Sequence, residues 1–239
     1  AQNLTVQTGT AGAPSTMVLD MAGSLGALTQ VSAAVEIDAF GLLMARGTVT
    51  LQKSSGTVTV AGASKAVDEL LIGANNLSAF VGVGGAWSAG TSAYTGTGLT
   101  LSGLKLGLAI LKETGGSARQ WTGAKASATS ASFIGVSGLT VVASDVSVAI
   151  NRVASDNSVV DFAAQNLTVQ TGTAGAPSTM VLDMAGSLGA LTQVSAAVEI
   201  DAFGLLMARG TVTLQKSSGT VTVAGASKAV DELLIGANN

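Results

Sequence analysis

Residues Ala1 to Asn76 recur letter for letter as Ala164 to Asn239, an offset of 163 residues. Identity of that kind restricts the fold more than any composition does. Each unit of such an array must offer its successor the surface that it takes from its predecessor, so the architecture has to be stackable. The chain is therefore expected to hold one full unit, residues 1–163, and the opening 76 residues of the next, residues 164–239, which is not expected to stand as an independent domain. Identity in exposed positions implies recent duplication or homogenisation between copies, which suits a repetitive object better than a one-site enzyme.

Charge sharpens the point. Only 10% of residues are charged, 47% are hydrophobic and the mean hydropathy is +0.53, too little charge to coat a lone globule. A compact protein of 23.3 kDa exposes roughly 9,700 Å², so much of this surface is expected to be covered by neighbouring repeats, by lateral association with other chains, or by lipid. Residues 1–163 carry nine acidic and eight basic side chains. There is no basic patch to release counterions from phosphates, and nucleic acid is not an expected partner. No apolar run reaches the ~18 residues of a membrane-spanning helix, and any secretion signal is expected to lie outside these residues.

Thr, Val, Ser, Ala and Gly dominate and apolar residues alternate, which is the pattern of β-strands. Three runs change phase near the middle. Leu99 and Leu101 give way after Ser102-Gly103 to Leu104, Leu106, Leu108 and Ile110. Leu139, Val141 and Ala143 give way after Ser144-Asp145 to Val146, Val148 and Ile150. Val35 and Ile37 give way at Ala39 to Phe40, Leu42 and Met44. Because strand side chains alternate with period two, each slip requires a bulge, a bend or a tight turn, unless both faces are buried. The expected core is Phe40, Leu42, Met44, Leu104, Leu106, Leu108, Val146, Val148 and Ile150.

Turn signals at Gly12 to Ser15, Lys53 to Gly56, Gly84-Gly85, Thr114 to Ser117, Ser137-Gly138 and Ser155 to Ser158 read as hairpin connections. Lys65 to Leu71 behind Ser64 has helical spacing, although Leu70-Leu71-Ile72 also opens a strand. The expected fold is all-β: long antiparallel strands in a tandem-repeat array, with a continuous sheet forming a tube or a flattened sandwich. A β-solenoid is the alternative. About ten strands per unit at ~4.8 Å would advance the sheet on the order of 50 Å per repeat.

The chain has neither His nor Cys, which removes imidazole and thiolate chemistry: triads, Cys-His pairs and the usual zinc sites. No catalytic residues and no cofactor are expected. Glu36 and Asp38, at i and i+2 on one strand face, and Asp156 with Asp161 near a turn are the weak calcium candidates. A solvated strand face and a plain hairpin turn explain them better. Gly82 to Gly85 lacks the lysine and the helix of a phosphate loop. Trp87, Tyr94 and Trp121 could stack on sugar only if they lie exposed on one face.

The phrases Leu71 to Phe80 (LIGANNLSAF), Leu106 to Lys112 (LGLAILK), Phe133 to Thr140 (FIGVSGLT) and Val160-Asp161-Phe162 resemble repeats of giant bacterial exoproteins, the large adhesin, hemagglutinin-like and LEPR-XLL type. The resemblance touches most of the unit. It implies a secreted or cell-surface filamentous protein of a Gram-negative-type bacterium, and supplies no catalytic residues. The functional expectation is a structural component of a filament or giant adhesin that acts by repeat stacking. The alternatives are a β-tube with an apolar lumen or an outer-membrane barrel, and a repeated carbohydrate-binding module. Membrane or lipid contact stays open at this point.

Overall fold

The computed structural model describes residues 4–8, 10, 12–19, 27–88, 93–115, 118–173 and 175–238. A short antiparallel hairpin comes first, β1 (Leu4–Gln7) and β2 (Thr16–Leu19). Six long strands follow: β3 (Thr29–Ala39), β4 (Leu43–Val60), β5 (Ala63–Trp87), β6 (Tyr94–Glu113), β7 (Gln120–Ile134) and β8 (Leu139–Arg152). The second copy repeats the scheme with a hairpin of β9 (Leu167–Gln170) and β10 (Thr179–Leu182), a 3₁₀ turn at Gly186–Leu188, then β11 (Leu191–Ala202), β12 (Leu206–Val223) and β13 (Ala226–Asn238). All long strands form one nine-stranded antiparallel sheet, ordered β13-β12-β11-β8-β7-β6-β5-β4-β3. The fold is all-β, and the sheet is not closed into a barrel. Antiparallel pairing throughout also sets aside the solenoid alternative, whose coils pair parallel.

Six sheet strands per full unit, rather than about ten, bring the advance down to roughly 29 Å per repeat. Several turn positions differ from expectation. Lys53 to Gly56 lies inside β4, and the hairpin falls instead at Ala61-Gly62, whose φ values of 48° and 75° build a two-residue turn matching strand twist. Alanine in the left-handed region gives no compositional warning of a turn. Gly84-Gly85 is a bulge within β5, between the pairs Val83↔Thr97 and Ala86↔Thr95. Lys65 to Leu71 is strand, not helix, because pairing on both sides overrides local spacing. Of the Thr114 to Ser117 turn, Gly116 and Ser117 lie outside the described residues.

The phase slips have a common origin at the waist of the sheet. Between Arg46↔Ser78 and Thr48↔Asn75, β5 holds one residue more than β4. Between Ser195↔Ser147 and Ala197↔Ser144, β8 holds one more than β11. Across β5 to β8 the register is the same on both sides of the waist, so all four strands bulge together. Asn76 (φ 50°), Gly103 (φ 60°) and Asp145 (φ 51°) take the left-handed conformations that such a row requires. The extra residue keeps Leu99 and Leu101 on the same face as Leu104 to Ile110. The third slip, at Ala39, is instead the β3–β4 turn, with the Leu42 N–H donating to the Ala39 carbonyl at 3.0 Å.

Register assigns every side chain to one of two faces. The capped face lies beneath the segment Val160–Met184 and holds the closed core, including Val58, Leu71, Leu111, Trp121, Phe162 and Leu182. A smaller cluster of Met44, Phe80 and Tyr94 occupies its other half. The opposite, open face runs in apolar rows such as Leu51↔Ile72↔Leu108↔Ala124↔Ile150. The expected core is corrected accordingly. Met44 is fully buried, but Leu104, Leu106, Leu108, Val146, Val148 and Ile150 are half-buried residues of the open face. Phe40 is 98% exposed and Leu42 is exposed, because they belong to the β3–β4 turn rather than to a strand face. The parity that linked them to Met44 assumed an unbroken strand through Ala39.

Candidate assembly interfaces

Two seams join the copies. At the first, β11 pairs with β8 from Leu191↔Asn151 to Ala202↔Leu139, so the second copy extends the sheet of the first by ordinary backbone pairing. The Ser147 and Ser195 hydroxyls meet at 3.0 Å across it. The Phe203 N–H donates to the Gly138 carbonyl at 2.6 Å, and the Phe203 ring lies over Gly138. Phe203, the counterpart of Phe40 in the second copy, thus makes a contact between copies, while Phe40 itself is no core residue.

At the second seam, the chain leaving β8 doubles back and lays the β9–β10 hairpin over the capped face of β5, β6 and β7. The approach is close enough to need glycine. Gly73 and Gly107, paired across β5 and β6, have no side chain where the Gln170 backbone and the Met180 side chain lie. The Phe162 ring likewise rests on Gly123. Polar groups follow the hairpin under cover: Thr50 Oγ1 donates to the Gly172 carbonyl at 3.0 Å, and Asn151 Nδ2 to the Val160 carbonyl at 2.8 Å. Gln165 Nε2 donates to the Thr57 carbonyl at 2.8 Å, and Lys125 pairs with Asp183 at 2.8 Å. The exposed ion pair adds little energy, whereas the buried apolar contacts dominate.

The hairpin that opens a copy therefore caps the sheet of the copy before it. Identical segments make the comparison internal. Val169 in β9 is 0% exposed while Val6 in β1 is 40% exposed. Met44 is 0% exposed under Phe80 and Tyr94, while Met207, against which no such pair packs here, is 71% exposed. The accessible surface of 13687 Å² exceeds the roughly 9,700 Å² of a compact chain this size by on the order of 4,000 Å². One sequence meets two environments, and only the one with a neighbouring repeat is closed.

The weak calcium candidates serve turns and seams. Asp38 Oδ1 accepts from the Gly41 N–H at 2.9 Å and steadies the β3–β4 turn, while Glu36 stays on the exposed edge strand. Asp161 Oδ1 accepts from the Gly186 N–H at 3.0 Å and the Ala164 N–H at 3.3 Å, tying the start of the second copy to its 3₁₀ turn. Asp156 accepts from the Ser158 hydroxyl and from Arg119 at 2.9 Å. Among the described residues no group of three or more acidic side chains could hold a metal ion. Nor is any helix there long and apolar enough to cross a membrane. Trp121 is fully buried with its indole N–H on Ser158 Oγ at 3.1 Å, whereas Trp87 and Tyr94 pack together at 4.3 Å elsewhere. The three aromatics form no common exposed platform. The Glu113–Arg119–Asp156 cluster at the β6–β7 turn has no local sequence signal, because Arg119 stands 6 residues from Glu113 and 37 from Asp156.

That cluster predicts a pH effect. The Ser158 hydroxyl, and next the Arg119 guanidinium, hold the Asp156 carboxyl down at about 2, below its ordinary 3.8. A depressed folded-state value means stabilisation that is complete above the unfolded value and lost as pH falls toward 2. The urea midpoint should thus drop more between pH 5 and pH 2.5 in the parent than in Asp156→Asn. Equal drops would remove this carboxylate from the acid response.

No family model, curated protein or solved structure matches this chain.

Proposed function

We propose that the chain is a structural segment of a secreted or cell-surface bacterial filament or giant adhesin, as its resemblance to giant exoprotein repeats implies. The observation that carries this reading is mutual completion of repeats. One copy continues the sheet of its predecessor through β8 and β11 and caps the predecessor's core with its first hairpin. Such a contact is heterologous and head to tail, and repeated without closure it generates a fibre. Its work is mechanical: pulling along the array loads a backbone ladder and a buried seam together rather than a flexible linker. Catalysis has no part in it.

Electron cryomicroscopy of a detergent-free chain of several repeats should show an unbroken rod advancing roughly 29 Å per unit. Separate beads on a flexible thread, or material soluble only in detergent, would overturn the reading. A second reading is favoured by the open apolar face: a tube with an apolar lumen, or an outer-membrane barrel. A composition of 3% aromatic residues weighs against the barrel, because membrane barrels carry aromatic girdles at both interfaces. The repeated carbohydrate-binding module is the weakest reading, since Trp121 is buried.

A further inference from the structure

We infer that the open face of the sheet is an interface with the open face of a second copy of this chain, forming a two-sheet lamina. The inference goes beyond the filament reading, because end-to-end growth uses strand edges and the hairpin, and leaves this face untouched. Among the described residues nothing covers it. A single apolar row crosses the seam between copies through Leu106, Ala126, Val148, Val194, Leu214 and Ile235. By register, the charged side chains on this face are Lys53, Asp68, Lys112, Arg152, Lys216 and Asp231, all near one margin. The others in the sheet lie at turns or bulges or project from the capped face. An expanse without charge opposes no equally uncharged partner and gives water little to bind.

Area and shape select the occupant. Nine strands about 4.8 Å apart, the shortest of 11 residues, make a face on the order of 1,500 Å². Pairing two such faces would bury on the order of 3,000 Å², within the range of obligate dimers and far above the patches soluble monomers leave bare. The relief is corrugated: β7 offers Ala124, Ala126 and Ala128, a groove between the leucines of β6 and the branched residues of β8. A like surface turned over can seat its β6 ridge in that groove at the ~10 Å spacing of packed sheets. Lipid chains need no such relief.

The chain has no cysteine, so single introduced thiols report directly. In detergent-free solution Ala126→Cys, on the open face, should react with a maleimide at least tenfold more slowly than Ser127→Cys, on the other face. The sedimentation mass should be an even multiple of the chain mass. Leu106→Lys should halve that mass while longer arrays keep their axial spacing, so loss of the lamina is distinguishable from loss of the filament. A monomer with Ala126→Cys as reactive as Ser127→Cys, or a monomer whose face is shielded by co-purified phospholipid, would overturn the inference.

Discussion

Phe162→Ala should uncouple the second copy from the first. Phe162 is fully buried, its ring rests on Gly123, and it lies in the core that Trp121, Leu111 and Leu182 complete. Truncating a buried phenylalanine costs about 3–5 kcal/mol, because the cavity adds to the lost transfer energy. The loss should be local in kind. Amide exchange should accelerate across Leu167–Gln170 and Thr179–Leu182, whose cover depends on this core, before it does so in the middle of β4 and β5. A denaturation midpoint unchanged from the parent would mean that the seam is not a stabilising contact.

Gly73→Val and Gly236→Val should behave oppositely, although the two glycines hold the same place in identical segments. A side chain at Gly73 runs into the Gln170 backbone, which cannot swing aside as a flexible side chain would. Relief requires the hairpin to lift, at a cost at or above the ~1–3 kcal/mol usual for overpacking. Around Gly236 there is open space, and valine there is a better strand residue than glycine. Within this chain, Gly236→Val should be neutral or slightly stabilising by thermal unfolding. Equal destabilisation by both would show that the hairpin does not dock where the structure places it.

How far the sequence discloses this molecule depends on which interactions are local. Alternation disclosed strands, and the slips at Ser102-Gly103 and Ser144-Asp145 disclosed two of the bulges, because period two is a property of a single strand. The slip at Ala39 was ambiguous between bulge and turn, and only pairing with Leu43 resolves it. The Ala61-Gly62 turn stayed hidden because alanine carries no turn preference. The core departs further from local pattern. Leu104, Leu106 and Leu108 were the most regular apolar run, and regularity marks a continuous face without saying whether anything covers it. The closed core draws instead on residues far apart in sequence, such as Val58, Trp121, Phe162 and Leu182. The hairpin cap was not legible because residues 167–182 read the same as residues 4–19, and only position in the array gives them a sheet to cover.

Consecutive repeats share one sheet across β8 and β11. Ser147 and Ser195 face each other there with hydroxyls 3.0 Å apart. Opposed strand residues at that approach lie within the span a disulfide can bridge. In the otherwise cysteine-free chain, Ser147→Cys with Ser195→Cys should oxidise to an intramolecular bond under mild conditions, detected by the mobility shift and peptide mass. A pair that stays reduced, or that links only separate chains, would contradict the shared sheet.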